Sequence, residues 1–370
     1  MIKEISNFIE KIPEYYFTEG LEPSEGLHIW IKLDDNENLV EMKSYMVKTS
    51  KKKKEFFELI SSKLVPTDFP NDLVLREYYS GYITMNKVLD PAKKIHSSSP
   101  FVIWFKKQNV TEIQSLLEGY FKNTKKYYEE KHYDLINKTE SFLQNNLNNL
   151  LTEAFEHFKD IKITDYIKIY FDVDLEIIKK GYKNYLGSKL FNKEDYNINN
   201  DEYGLSGFLN GDNVKKLFLM HKTSFYNVNN HISKSEAYKL YLFERLIKNK
   251  PKAKLPNPLP IFIDQDELNS RVVELYNRDG VLSFHDIFHK LFEEHQKDLT
   301  NYYLIFWSKK DGLTIHDLDF VSRFRFTLDN FLIENLFEIK NSFDGRIKNV
   351  FQFETEIVQK IFNNVLIQKT

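Results

Sequence analysis

The stretch from Thr111 to Lys159 contains no proline and spaces its apolar residues at helical intervals. Ile113, Leu116, Leu117, Tyr120 and Phe121 form one stripe; Leu143, Leu147, Leu150, Leu151, Phe155 and Phe158 form another. Such stripes bury only against another element, so long helices must pack on something sheet-like or on each other. Shorter runs supply the sheet. His28–Leu33 and Leu39–Val47 read as strands about the turn-forming Asp34-Asp35-Asn36, and Phe101–Phe105 reads as a buried strand after Ser97-Ser98-Ser99-Pro100. Tyr166–Val173, Ile261–Ile263, Tyr302–Trp307 and Leu313–Val321 are further candidates. Strands and helices mix without regular alternation, and no repeat of 20–50 residues is found, which predicts an α+β class.

At the N-terminus Ile5, Phe8, Ile9 and Ile12 predict a helix stopped by Pro13. Ser233 with Glu236 is a capping box for a helix through Ile247, and its near-continuous apolar surface predicts burial. Pro251, Pro256, Pro258 and Pro260 predict a stiff connector. From Asn330 to Ile367 the spacing is again helical, so a helical C-terminal portion is expected, one that stops within an unfinished amphipathic helix. Three regions are expected: 1–160, an α+β region with the long helix; 161–329, an α+β region with a Gly/Asn-rich loop; and 330–370, the start of a helical region.

With 370 residues, 42% hydrophobic and 15% aromatic, the chain has ample material for a core. The absence of cysteine excludes disulfides, thiolate metal sites and a cysteine nucleophile, and a reducing cytosol is the simplest compartment. Charged residues from Lys3 to Lys11 exclude a signal peptide, and no apolar run is long enough to span a bilayer. The net charge of −2 argues against a generally basic nucleic-acid binder, leaving local patches as the route to phosphate.

Three D-x-D pairs end strand candidates: Asp172/Asp174, Asp264/Asp266 and Asp317/Asp319. Carboxylates so placed can hold Mg²⁺ for phosphodiester chemistry, and equally they cap helices and turns. His285, Asp286 and His289 form H-D-x-x-H with His295 nearby, yet no third ligand is identifiable and an amphipathic helix explains the pattern. No metal and no cofactor is expected. The run Gly204-Leu205-Ser206-Gly207-Phe208-Leu209-Asn210-Gly211 fits neither phosphate-loop spacing. It offers an Asn-Gly turn followed by Asn213, Lys215, Lys216 and Lys222. Asn can read a base edge, lysine can neutralise phosphate and Phe208 can wedge a base step; an ordinary hairpin turn has the same composition. Lys51, Lys52, Lys53 and Lys54 form a second basic patch, beside Lys43 and Lys48.

Several blocks resemble one family. Asp90-Pro91-Ala92-Lys93-Lys94-Ile95-His96-Ser97-Ser98 is similar to the D-P-x-K-K-I-H-S-N stretch of the CRISPR-associated Csh-type family, the large subunit of the type I-B Cascade complex. Tyr185 to Lys193, Tyr203 to Gly211, Lys222-Thr223, Leu259 to Asp264 and Asp319 to Arg325 resemble its later blocks, in family order from about Leu73 to Arg325. The resemblance implies a cytoplasmic, non-catalytic subunit for crRNA-guided DNA binding in antiviral defence. It would recognise the protospacer-adjacent motif (PAM) and support the R-loop, a division of labour in which guide pairing reads sequence and protein reads a short element. The implied partners are the backbone, crRNA 5′-end-binding and small subunits, crRNA, target double-stranded DNA and a recruited helicase-nuclease that does the cutting. Relatives with Cys-rich insertions, and a longer C-terminal helical bundle, mark departures of this chain. The PAM contacts implied are Phe208, Asn210, Gly211, Asn213, Lys215, Lys216 and Lys222, with Lys51–Lys54 as second-rank phosphate contacts. The alternatives are a Mg²⁺-dependent nuclease using Asp172, Asp174, Asp317 and Asp319, and a purely structural scaffold subunit.

Overall fold

The computed structural model describes residues 1–51, 53–192, 197–200, 202–207, 231–248, 255–278, 282–295, 299–308, 314–328, 330–336 and 345–365. The class is α+β, as the mixed patterning predicts. The chain forms two compact units, one from residues 21–238 and one from residues 1–20 with 239–370.

The unit of residues 21–238 is built on a six-stranded sheet. Its strands are β1 (Gly26–Leu33), β2 (Leu39–Ser50), β3 (Lys53–Ile60), β4 (Lys63–Pro66), β5 (Val102–Lys106) and β6 (Tyr166–Phe171), in the order β4-β3-β2-β1-β6-β5. Neighbours are antiparallel except β1 and β6, which run parallel with Ile29 opposite Ile169. A parallel pair needs a crossover long enough to carry the chain back, and here β2 to β5 and two long helices intervene. At the start of β1, Gly26 has φ of 128° and its missing side chain would collide with the backbone of Tyr166, so the tight β1–β6 approach requires glycine there. The predicted 111–159 helix is two helices, α3 (Val110–Lys125) and α4 (Tyr133–His157), packed on each other. Helices α2 (Asn71–Tyr78) and α5 (Leu175–Lys189) also pack together. The apolar stripes read from sequence are the buried ones: Ile113, Leu117, Tyr120 and Phe121 from α3, and Leu143, Leu147, Leu150 and Leu151 from α4.

The unit of residues 1–20 with 239–370 carries a three-stranded antiparallel sheet, β11-β10-β9, from β9 (Leu259–Phe262), β10 (Leu299–Ser308) and β11 (Thr314–Phe324). Around it lie α1 (Ile2–Glu10), most of α6 (Lys234–Lys248), α7 (Asp266–Arg278) and α8 (Phe284–His295). Val272, Leu275, Ile287, Phe288 and Leu291 form a shared core with Phe262, Leu299 and Tyr302. Buried Asn269 joins sheet to helix: its side chain accepts from Phe262 N–H and donates to Phe262 C=O, both at 2.8 Å. The Ser233/Glu236 capping box forms as read, with Glu236 N–H donating to Ser233 Oγ at 3.2 Å and Ser233 N–H to Glu236 Oε2 at 2.9 Å.

Two expectations are corrected. A boundary after residue 160 would separate β6 from β1, its hydrogen-bonded partner, so the three expected segments do not match the two units. The tail is also less helical than its spacing predicts. Thr327 bridges Asn349 and Glu334 bridges Arg346, and among the described residues of the tail helical turns occur only over Val350–Gln352 and Phe353–Gln359. Phe331, Leu332 and Leu336, which the helical stripe would bury, are exposed.

Candidate functional site

Three blocks that stand apart in the sequence meet in the unit of residues 21–238. Asp90 is 1% exposed, and its carboxylate accepts N–H groups from Ala92 at 2.9 Å, Lys94 at 2.7 Å and Ile95 at 3.0 Å. One buried carboxylate thus organises the whole Asp90–Ile95 turn. His96 Nε2 lies 3.0 Å from the Lys93 carbonyl and Nδ1 lies 3.0 Å from the Tyr166 hydroxyl. These partners assign a neutral ring with the proton on Nε2, and burial lowers its pKa in agreement. Ser97, Ser98 and Ser99 are all buried and bonded: Ser98 N–H to Ser80 C=O at 2.8 Å, and the Ser99 carbonyl to the Tyr120 hydroxyl at 2.6 Å.

The segment just ahead of this turn, through Ile83 and Lys87, holds the next block on α5. Tyr185 donates its hydroxyl to Lys87 C=O at 2.9 Å and accepts from Ile83 N–H at 3.2 Å. Lys87 Nζ in turn donates to the carbonyls of Phe191 at 2.7 Å and Asn192 at 3.1 Å. The third block closes the frame. Asn192 N–H donates to Leu205 C=O at 2.8 Å and Gly207 N–H to Leu190 C=O at 3.1 Å, with Phe191 bridging Ser206. Gly204 is tightly enclosed, because a Cβ would lie 2.5 Å from Asn197 Oδ1 and 2.6 Å from the Phe191 ring and would have to displace one of them. Strand β7 (Tyr203–Leu205) pairs antiparallel with β8 (His231–Ser233), Leu205 opposite His231. Leu205 and His231, which flank the Gly/Asn/Lys segment, are therefore joined by a short antiparallel ladder. Phe208, Asn210, Gly211, Asn213, Lys215, Lys216 and Lys222 lie outside the described residues, as do Leu209 and Thr223.

The second basic patch divides. Lys51 sits exposed in the turn between β2 and β3 with φ of 47°, and Lys53 is exposed at the start of β3. Neither makes an ion pair among the described residues. Lys54 is committed internally, donating to Pro23 C=O at 2.6 Å and lying 3.5 Å from Glu22. Lys48 pairs with Asp160 at 2.9 Å, and Lys43 pairs with Glu41 at 3.0 Å while lying over Trp30. Lys52 lies outside the described residues.

A buried charge cluster has no motif in the sequence to mark it. Lys168 on β6 is 2% exposed, with Nζ 2.5 Å from Glu77 Oε1, bonded to Ser24 Oγ, and 4.4 Å from the centroid of Trp104. His28, on the neighbouring strand, is fully buried; Nε2 contacts Ser24 C=O and Nδ1 the Tyr170 hydroxyl, each at 2.9 Å. Burial and then the Lys168 charge push the His28 pKa down to about 4, so the ring is neutral. Burial also lowers Lys168 against the pull of Glu77. For Glu77 burial acts upward, yet the Lys168 charge and the hydrogen bonds from Lys168 and Ser24 outweigh it and hold the carboxyl below its usual range. The available signal was a lysine alone within the apolar run Tyr166 to Phe171. Its partners come from distant segments, and enclosure within β1, α2 and β6 makes the cluster a tie within the fold.

The carboxylate pairs have local tasks. Asp174 caps α5, accepting Glu176 N–H at 3.0 Å, and Asp172 lies 3.7 Å from Lys32. Asp266 opens α7 and pairs with Lys11 at 2.9 Å. Asp264, Asp266 and His295 line a groove of about 680 Å³ with Asn7 and Thr300. Asp317 and Asp319 lie exposed on β11. Asp172/Asp174 and Asp317/Asp319 belong to different units. In the H-D-x-x-H segment Asp286 is the capping partner of Ser283, His285 Nε2 meets Glu354 at 2.5 Å, and His289 stacks on Phe351 at 4.5 Å. Among the described residues no group of three or more such side chains could hold a metal ion, and no helix is long and apolar enough to cross a membrane.

Comparison of the chain with protein-family models, curated proteins and solved structures finds no match.

Proposed function

We propose that this chain is the large subunit of a type I-B Cascade complex, a crRNA-guided DNA-binding assembly of the cytoplasm, in which it reads the PAM and supports the R-loop. The observation that carries the reading is the ordered set of sequence blocks between Leu73 and Arg325. Support comes from their neighbourhood in the fold: Ile83 and Lys87, just ahead of the Asp90–Ser98 block, are hydrogen-bonded to the Tyr185–Asn192 block, which is itself bonded to the Tyr203–Gly207 block that leads into the Gly/Asn/Lys segment. A loop that reads DNA needs such a base, because its contacts must be held in register with the duplex.

Asn210 and Asn213 supply base-edge contacts, Phe208 a wedge, the Gly211 backbone a close approach, and Lys215, Lys216 and Lys222 phosphate contacts. Lys51 and Lys53 are the second-rank phosphate contacts that are exposed; Lys54 is held by Glu22 and Pro23. A net charge of −2 suits a subunit that shares its DNA with basic partners: backbone, 5′-end-binding and small subunits around the crRNA. Cutting falls to the recruited helicase-nuclease.

The test is photo-cross-linking of the assembled complex to a target duplex carrying the probe in its PAM. Capture through residues 208–222 is expected; capture only by other subunits would make this chain a scaffold. Incubating the purified chain with DNA and Mg²⁺ completes the test. Cleavage lost in Asp172→Asn would replace this reading with a nuclease.

A further inference from the structure

Two strips of backbone meet where the chain leads into the Gly/Asn/Lys segment. Residues 190–192 leave the end of α5, and residues 205–207 run directly into Phe208. Asn192 N–H bonds Leu205 C=O at 2.8 Å, Gly207 N–H bonds Leu190 C=O at 3.1 Å, and Phe191 bridges Ser206 between them. These bonds fix the strips to each other. Helix α5 holds the first strip as far as Leu190, whose N–H still bonds Leu186 C=O at 3.1 Å. Beyond that point a side chain from a remote segment takes over: Lys87 Nζ donates to Phe191 C=O at 2.7 Å and to Asn192 C=O at 3.1 Å.

The chemistry suits that task. Carbonyls at and just past a helix C-terminus lack intrahelical donors and sit at the negative end of the helix dipole, so a cation is their favoured partner. An ammonium that donates to two of them makes charge-assisted bonds, stronger than neutral ones. Lys87 is itself firmly mounted. Its N–H donates to Thr84 C=O at 2.8 Å, and its C=O accepts the hydroxyl of Tyr185, a fully buried residue of α5, at 2.9 Å. Backbone and side chain of one residue thus grip α5 and the chain that leaves it at two places. Contacts to a duplex must be held in register, so the root of a reading segment is where such a grip has a functional consequence.

We infer that Lys87 is the positioning residue of this segment: by holding Phe191 and Asn192 it sets the place of residues 205–207, and hence of the chain that enters the segment at Phe208. Its consequence for DNA rests on the function proposed above, and the two are tested apart.

The test compares the wild type with Lys87→Met, which keeps the stem and removes the ammonium, and with Lys87→Arg, which can still donate to both carbonyls. On the free chain, hydrogen exchange read by mass spectrometry should show protection over residues 190–192 and 205–207 lowered by ~10-fold or more in Lys87→Met. Protection over β6 should be unchanged, and Lys87→Arg should stay near the wild type. In the assembled complex, Lys87→Met should lose at least ~10-fold of the preference among flanking sequences with guide pairing intact, and Lys87→Arg should keep it. Unchanged protection in Lys87→Met, a loss that spreads to β6, or a local loss with flank preference intact would each overturn the inference. A wild-type complex without any flank preference would instead overturn the DNA-binding reading and with it the functional half of the inference, while the exchange result still decides whether Lys87 holds the two strips in place.

Discussion

Lys168 Nζ lies 2.5 Å from Glu77 Oε1, with the Trp104 ring on one side and both charges withdrawn from bulk water. A buried pair of this kind stabilises little relative to apolar side chains, but losing one member strands the other. Lys168→Met should therefore cost about 3 kcal/mol or more in denaturant unfolding. The double variant Lys168→Met/Glu77→Leu should recover much of that loss. Equal cost for the single and double variants would show that the pair is not coupled.

His28 gives the unit a pH signature. Its pKa is about 4 in the fold against an ordinary 6.5, so below 6.5 the unfolded chain takes up the proton first. Stability from this group is complete above pH 6.5 and is lost as pH falls towards 4, by about 3 kcal/mol in all. His96, also lowered by burial, acts in the same direction. Melting temperatures of the wild type should fall between pH 6.5 and 5, and His28→Gln should flatten that slope. An unchanged slope would mean that the ring is reachable by solvent.

Gly204→Ala should destabilise by about 2 kcal/mol, because the added methyl must displace the Phe191 ring or Asn197. Differential scanning calorimetry reads the shift. A neutral outcome would show that the three-block frame is loosely packed.

The lysines near the β2–β3 turn separate by environment. Lys53→Ala or Lys51→Ala should each lower the salt slope of DNA binding by the assembled complex by about 0.9 per lost phosphate contact. Lys54→Ala should leave the slope unchanged, since Lys54 is engaged with Glu22 and Pro23. Equal effects from all three would dismiss the distinction.

Much of the fold was legible where a local rule decided it. The stripes of α3 and α4, the Ser233/Glu236 box and the strands β1, β5 and β6 follow from spacing, capping and apolar runs. β3 and β4 were not, because Lys53, Lys54 and Glu55 open a strand whose place is set by pairing to β2. The tail misled for the opposite reason: helical spacing from Phe331 onward is overridden by bridges to residues 346 and 349. His96 and Ser99 show no period that marks them as buried, because their enclosure depends on Tyr120, Tyr128 and Tyr166 from distant elements. The Lys168 cluster was hidden likewise, since only the folded sheet brings Glu77, His28 and Ser24 to one lysine. Asp174 and Asp286, by contrast, are caps, a local role their positions already allowed.

The central claim is that this chain reads a short DNA element through the segment that follows Gly207. The most direct measurement titrates guide-matched duplexes with randomised flanks against the complex assembled with the wild-type chain or with Asn210→Ala/Asn213→Ala. A flank preference present with the wild type and lost in the variant, with guide pairing intact, is the predicted result. A preference identical in both complexes, or one that persists when the chain is left out, would contradict it.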